Sequence, residues 1–314
     1  MSWDLAATLA ALREGEESTR RRLVEELGRE GRTEAIPALL LAVGDESWSV
    51  RQTAVEVMTR LPEAALLPAL ETALRNHEDA AQRNAAMEIY VKLGTSASLA
   101  LLGLLQDQDE EVRNFAAVML GARKDQDAVA ALIAALTDGD INVRHAAATS
   151  LGQIGDPRAV RPLVAALRDE PWLQYPAVSA LAEIGDPASA PALLELLSDE
   201  LLRGPVIQAL GRLAGRELLP RLIPYLSDPD PGLRNAAIQA VVAIEQRATA
   251  GGESLDPEVQ AALRRADLVS HLLAMLEDED PQNRSTAAIT LGWLKEGRAE
   301  RPLIEMLQEA ALRE

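Results

Sequence analysis

The chain has 314 residues, 48% of them apolar but only 3% aromatic, with 49 acidic side chains against 31 basic ones and a net charge of −18. Such a surface repels phosphate backbones and offers no broad counterion-releasing face, which argues against nucleic acid as a partner. The absence of cysteine excludes disulfides, thiolate nucleophiles and sulfur-held zinc together, and a core of Leu, Ala, Ile and Val beside abundant Glu and Arg favours helix throughout.

The first stretch, "MSWDLAATLAALREGEE", reads as a helix without the basic flank and small-residue cleavage site of an export signal. No uninterrupted run of about 18 apolar residues follows. The expected location is the cytoplasm, with no membrane association and a monomer as the default state. A repeat then begins, marked by an Arg ahead of Ala-rich sequence at Arg20, Arg51, Arg83, Arg113 and Arg144, by Gln174 in the same slot, and by Arg203, Arg234 and Arg284. Successive anchors are 31, 32, 30, 31, 30, 29, 31 and 50 residues apart, and the seventh residue after each is apolar: Leu27, Met58, Tyr90, Leu120, Leu151, Leu181, Leu210, Val241 and Leu291.

Each unit holds two short helices. In "DPRAVRPLVAALRD" Val160, Leu163, Val164 and Leu167 recur at helical spacing behind Asp156 and Pro157, which predict a helix start. The preceding stretch places Val143, Ala147, Leu151 and Ile154 on one face and ends at Gly155. Short amphipathic pairs cannot bury their stripes alone and must stack. The fold class is therefore all-α, a solenoid of about nine helical hairpins. We expect one domain over 1–314, with a capping unit at 1–30 that includes Trp3, an insertion at about 246–266, and an unpaired capping helix at about 298–312.

The period near 31 and the pattern of an acid, an Arg six residues on, "AA", "LG" and "IGDP" resemble the HEAT-like repeats of the phycobilisome-lyase type, over about residues 17 to 307. The resemblance implies a right-handed, armadillo-like superhelix with second helices lining a concave side. It is unspecific for function. The 34-residue tetratricopeptide and 33-residue ankyrin signatures are missing.

The acid six residues before the anchor recurs as Asp45 with Arg51, Asp107 with Arg113, Asp138 with Arg144, Asp228 with Arg234 and Asp278 with Arg284. We read these as a structural ladder in which each guanidinium bridges acids of its own and the next unit. The departures are where function is sought. His77 replaces one acid. Gln174 replaces one Arg, and Pro176 and Pro205 enter shortened turns, so both second helices are expected to begin late, near Tyr175 and Gly204. Trp172 and Tyr175 gather there, either filling space left by the short turn or anchoring a partner.

The positions one and five residues after each anchor sketch the concave stripe. Asn84, Asn114, His145, Tyr175, Gln208, Asn235 and Gln239 make it polar and amide-rich, suited to a protein or peptide partner or simply to solvent. Trp172 and Trp293 are the further candidate contacts. The 50-residue gap holds "EQRATAGGESLDPEVQAALRRA", read as a loop at 248–255 and an extra short helix opened by Asp256 and Pro257, either part of a binding face or a surface excursion.

No catalytic residue, metal ligand or cofactor site is assigned. The histidines His77, His145 and His271 lie in different units. Metal-dependent HEAT-repeat hydroxylases, which this fold resembles, need several His-Glu pairs, and HEAT-like DNA glycosylases need a basic groove. The expected function is a non-enzymatic scaffold holding a protein or peptide along its concave surface. The alternative is a subunit of a bilin lyase or isomerase, with Trp172, Tyr175 and His145 as possible tetrapyrrole contacts.

Overall fold

A helix of three turns is marginal in water unless its apolar stripe is covered, and this chain covers one helix with the next. The structure is a computed structural model describing residues 4–168, 171–213 and 215–311, and every regular element among these residues is helical. Its packing forms two compact units, residues 1–156 and 157–314. Trp3 lies outside the described residues, as does residue 312 of the expected C-terminal cap.

The first unit contains five hairpins: α1 (Leu5–Glu14) with α2 (Glu17–Glu30), α3 (Ile36–Ala42) with α4 (Trp48–Met58), α5 (Glu63–Leu74) with α6 (Ala80–Lys92), α7 (Thr95–Leu104) with α8 (Glu110–Ala122), and α9 (Val129–Ala135) with α10 (Ile141–Ile154). In the second unit α11 (Val160–Ala166) pairs with α12 (Pro171–Ile184), α13 (Ala190–Glu195) with α14 (Arg203–Leu213), and α15 (Leu219–Leu222) with α16 (Pro231–Ala250). After α17 (Pro257–Leu263), α18 (Ala266–Met275) pairs with α19 (Pro281–Leu294), and α20 (Glu300–Ala311) ends the unit. The nine anchor positions all fall on the second helix of a hairpin. The residues seven positions further on are each no more than 2% exposed, and burying such a side chain is worth about 1.5–3 kcal/mol. The chain is an all-α solenoid of helical hairpins.

Helix ends follow the local chemistry. Gly155 closes α10 in the left-handed region at φ 76°, a conformation that costs glycine little. At the other end, Asp140 Oδ1 accepts the N–H groups of Asn142 and Val143. The Asp-Pro starts, read as α-helical from sequence, open instead with single 3-10 turns at Pro157–Ala159 and Pro187–Ser189. Asp186 Oδ1 accepts the Ala188 N–H at 2.9 Å, which tightens that turn before α13 begins.

Two expectations need correction. Helix α12 does not start late near Tyr175; it starts at Pro171 and carries Pro176 in its interior. The ring of Pro171 suits a first turn, and the bond that Pro176 cannot make falls on the carbonyl of Trp172, an exposed residue where water can take its place. Pro205 lies at the third residue of α14, where no intrahelical N–H bond is required. The expected loop at 248–255 is shorter than read, because α16 continues to Ala250.

The return segment behind α16 is held by a buried carboxylate. Glu245, fully buried, takes Arg216 Nε and Nη2 at 2.9 and 2.7 Å and the Asp256 N–H at 3.0 Å. Arg216 also reaches Glu253 at 2.7 Å. The charge-assisted bonds from Glu245 hold the Arg216 guanidinium above its ordinary pKa.

At two "LG" glycines of the repeat the neighbouring second helix comes too close for a side chain. A Cβ on Gly121 of α8 would lie 2.4 Å from Ser150 Oγ of α10, and one on Gly211 of α14 would lie 2.5 Å from Ala240 of α16. Ser150 uses the closeness, donating its buried hydroxyl to the Ala117 carbonyl at 2.8 Å. Gly121→Leu is therefore expected to destabilise the chain by about 1–3 kcal/mol in chemical denaturation, as overpacking does. Gly139→Ala, where a Cβ meets nothing within 4 Å, should change stability little.

Candidate interaction surface

In each hairpin the positions two before, one after and five after the anchor are exposed or half-exposed, while the residue seven after it is buried. What the anchors themselves do is visible in the turns. Arg113 Nη1 donates to the carbonyls of Asp107 and Gln108 in its own turn, while its Nε and Nη2 hold Asp138 of the next hairpin at 2.9 and 2.8 Å. Arg20 grips Asp45 in the same bidentate way, at 2.7 and 2.9 Å. Arg51, Arg144, Arg234 and Arg284 likewise donate to the main-chain carbonyls of Asp45, Asp138, Asp228 and Asp278. Within a turn the guanidinium thus meets the carbonyl of its acid, and the carboxylate is left to cap the N–H two residues on: Ser47, Asp109, Asp140, Asp230 and Asp280 are capped so.

The first unit shows what happens when a rung changes. His77 stands where the acid would be and lies 3.1 Å from both Asp109 and Glu111, the latter also taking Arg83 at 2.8 Å. Asp107 is taken instead by Arg75 at 2.5 Å. Next to these residues Asn114, Asn142, His145, Asp140 and Phe115 line an open groove of about 410 Å³, with Arg83 lying 5.8 Å over the Phe115 ring. Asn114 and His145, predicted contacts, are brought together here; Asn84 is exposed on α6.

In the second unit Gln208 and Gln239 share a groove of about 280 Å³ with Gln282. Gln239 spends its amide on Asn283 at 2.7 Å, and Asn235 lies 2.6 Å from His271, so these two are part of an internal network. Burial holds His271 below its ordinary pKa. Trp293 is half-buried. Trp172 and Tyr175, left open between core and surface by the sequence, are 77% and 57% exposed. Sequence reasoning missed Leu201, which is 89% exposed. The signal was its register: it sits two residues before an anchor, where other hairpins carry Ser18, Ser49, Glu111, Asn142 or Gln282, and only Trp172 is comparable.

Among the described residues no group of three or more His, Asp and Glu side chains could hold a metal ion, and no helix is long and apolar enough to cross a membrane. The turn carboxylates that give the chain much of its charge are engaged with backbone N–H groups and guanidinium ions, an arrangement that orders turns.

The profile of the HEAT repeats matches residues 5–90, 98–175 and 198–265, and that of the PBS lyase HEAT-like repeat matches residues 173–199. No curated protein matches the chain. Among solved structures, the complex of CpcE and CpcF of phycocyanin lyase from Nostoc sp. PCC7120 is similar at 25% identity over 65% of this chain and 79% of that one, with a TM-score of 0.48. An engineered protein is similar at 20% identity over 93% and 89%, TM-score 0.45. Human deoxyhypusine hydroxylase, in complex with glycerol, is similar at 21% identity over 86% and 99%, TM-score 0.32.

Arg113 holds the Asp138 carboxyl below its ordinary pKa, helped by the Asp140 N–H and opposed by partial burial. A carboxylate whose folded pKa is depressed contributes stability above its unfolded pKa of about 4 and loses it as pH falls through the folded value. Asp138→Asn should therefore cost about 2 kcal/mol near neutrality. Its urea denaturation curve should stand apart from that of the parent chain above about pH 5 and converge with it in stronger acid.

Proposed function

The chain belongs to the HEAT-repeat family, and from that premise we propose that it is a scaffold holding a protein or peptide partner along its second-helix faces, by shape and hydrogen bonding. The observation that carries this reading is the exposure of Trp172 and Tyr175, at 77% and 57%, on a helix whose Leu173, Val178 and Leu181 are buried. Leaving an aromatic ring in water forfeits its burial free energy, and rings so placed are the usual anchors of an interface. Amide and imidazole groups at Asn84, Asn114 and His145 in the first unit, and at Gln208 in the second, supply donors and acceptors that a peptide backbone can use. The reading assigns the chain no catalysis, because its turn carboxylates have structural partners.

A second reading, a subunit that handles a bilin chromophore, draws support from the PBS lyase HEAT-like repeat match at 173–199, which includes Tyr175. Adding phycocyanobilin to the purified chain separates the two. The scaffold reading expects an unchanged absorbance spectrum, and a red shift abolished by Tyr175→Ala would favour the bilin reading.

The scaffold reading itself is tested by replacing Trp172 and Tyr175 together with alanine and comparing affinity capture from the native cell with that of the parent chain. Both residues are exposed, so the melting midpoint should move by no more than about 2 °C, while a specific partner disappears. Capture of the same partner by both chains would overturn it.

A further inference from the structure

The second-helix positions are not lined alike throughout the chain. Two residues before and one after the anchor, the hairpins of α8 and α10 carry Glu111 with Asn114 and Asn142 with His145; the next two carry Trp172 with Tyr175 on α12, and Leu201 in the turn before α14 with Gly204 on that helix. Two adjacent, packed hairpins of the second unit thus present large apolar side chains where α8 and α10 present polar ones. Leu201 is not exposed by accident of a loose loop. Asp199 Oδ1 accepts its N–H at 2.8 Å and that of Leu202 at 3.3 Å, fixing it in the turn that leads into α14.

We propose that Trp172, Tyr175 and Leu201 form a docking strip for one amphipathic helix of a protein partner, carrying apolar side chains two turns apart and flanked by Lys or Arg. The inference rests on the scaffold reading and names the chemistry of the partner. Trp172 lies in the first turn of α12 and Leu201 in the turn entering α14; these helices pack on each other, and neighbouring packed helices lie about 8–10 Å apart, so the two side chains are on the order of one interhelix spacing from each other. Residues i and i+7 of a helix are separated by about 10.5 Å along its axis. The spacing of the strip therefore matches a helix laid across α12 and α14. Gly204, one residue after the anchor of α14, lacks a side chain where an added Cβ would meet only Leu233 Cδ2 at 3.6 Å, which leaves a notch in that surface. An intermediate apolar side chain of the incoming helix seats there.

Charge selects the flanks. Residues 168–203 contain seven acids and two basic residues, Arg168 and Arg203, and the slot that elsewhere holds a third cation is Gln174. Arg203 is turned onto the carbonyls of Leu197 and Ser198, and Arg168 faces Glu195 at 3.9 Å. Glu195, Asp199 and Glu200 are exposed beside the strip. A second copy of this chain is a poor occupant, since it brings its own net charge of −18. Three side chains also cover far less than the roughly 800 Å² per partner of a standard stable interface.

The test selects helical peptides from a phage-displayed library, randomised on one face, against the full chain. Recovered peptides should carry apolar residues at i and i+7 with Lys or Arg beside them, and should bind less tightly as salt is raised. Each of Trp172→Ala and Leu201→Ala should weaken them at least tenfold. Gly204→Gln, which fills the notch without a steric clash, should do the same with the melting midpoint preserved, and Trp48→Ala, at an equally exposed aromatic elsewhere, should leave binding unchanged. Peptides that are acidic or extended, an empty selection, or full binding to the Trp172→Ala/Leu201→Ala double variant would overturn the proposal. Peptides that keep binding to that double variant but lose it to Asn114→Ala/His145→Ala would leave the scaffold reading standing and the strip refuted. Self-association seen by sedimentation and abolished by Leu201→Ala would make a second copy the occupant and equally refute it.

Discussion

Where α8 meets α10, the Cβ that Gly121 lacks would fall inside the van der Waals shell of Ser150, and α14 meets α16 in the same fashion at Gly211 and Ala240. At these points within each unit the second helices approach too closely for any residue but glycine, and the hairpins they belong to finish their cores on one another. The seventh-residue row, with Met58, Leu120, Leu151 and Leu210 among its fully buried members, is the apolar product of that contact. Because no hairpin covers its own stripe, stability is a property of adjacency. The outward positions are then released from any packing duty, and can differ from one hairpin to the next without loss of fold.

The turns are ordered by a division of labour. The anchor guanidinium binds the carbonyls of the turn between the helices, the carboxylate six residues before it accepts the N–H two residues on in that turn, and where geometry allows, as at Arg20 with Asp45 and Arg113 with Asp138, the two hairpins are cross-linked through the remaining donors. This consumes polar groups at regular intervals and accounts for much of the acidic charge without invoking a reaction. It also explains why departures matter. In the hairpin with Gln174 in the anchor slot, the amide donates to the Leu167 carbonyl at 3.1 Å, and Trp172 nearby is exposed.

The period, the helix pairs and the buried seventh residue are legible from the sequence because each repeats, so that noise in one copy is corrected by the others. The ladder acids were recognisable for the same reason, but their contacts were not: spacing cannot tell a carboxylate from its own carbonyl, and Arg113 uses both kinds of acceptor on different turns. Features that occur once were harder. Pro176 reads as a helix breaker until Pro171 is seen to start the helix five residues earlier. Leu201 stands out only once its register is compared with Asn142 and Gln282. Asn235 and Gln239 look like free amides, yet His271 and Asn283, from later in the chain, engage them.

The Glu245–Arg216 pair joins three stretches that are distant in sequence: the 3-10 turn before α15, the end of α16 and the segment leading to α17. Linear arrays generally fray one module at a time. Here, drawing away the turn that carries Arg216 leaves the Glu245 carboxylate ionised in the interior, and drawing away the segment before α17 removes its third bond, so the three stretches are bound to let go in concert. That stretch of the array should consequently melt as a single enlarged foldon, and its lengthened connection adds cooperativity where an insertion would ordinarily have removed it.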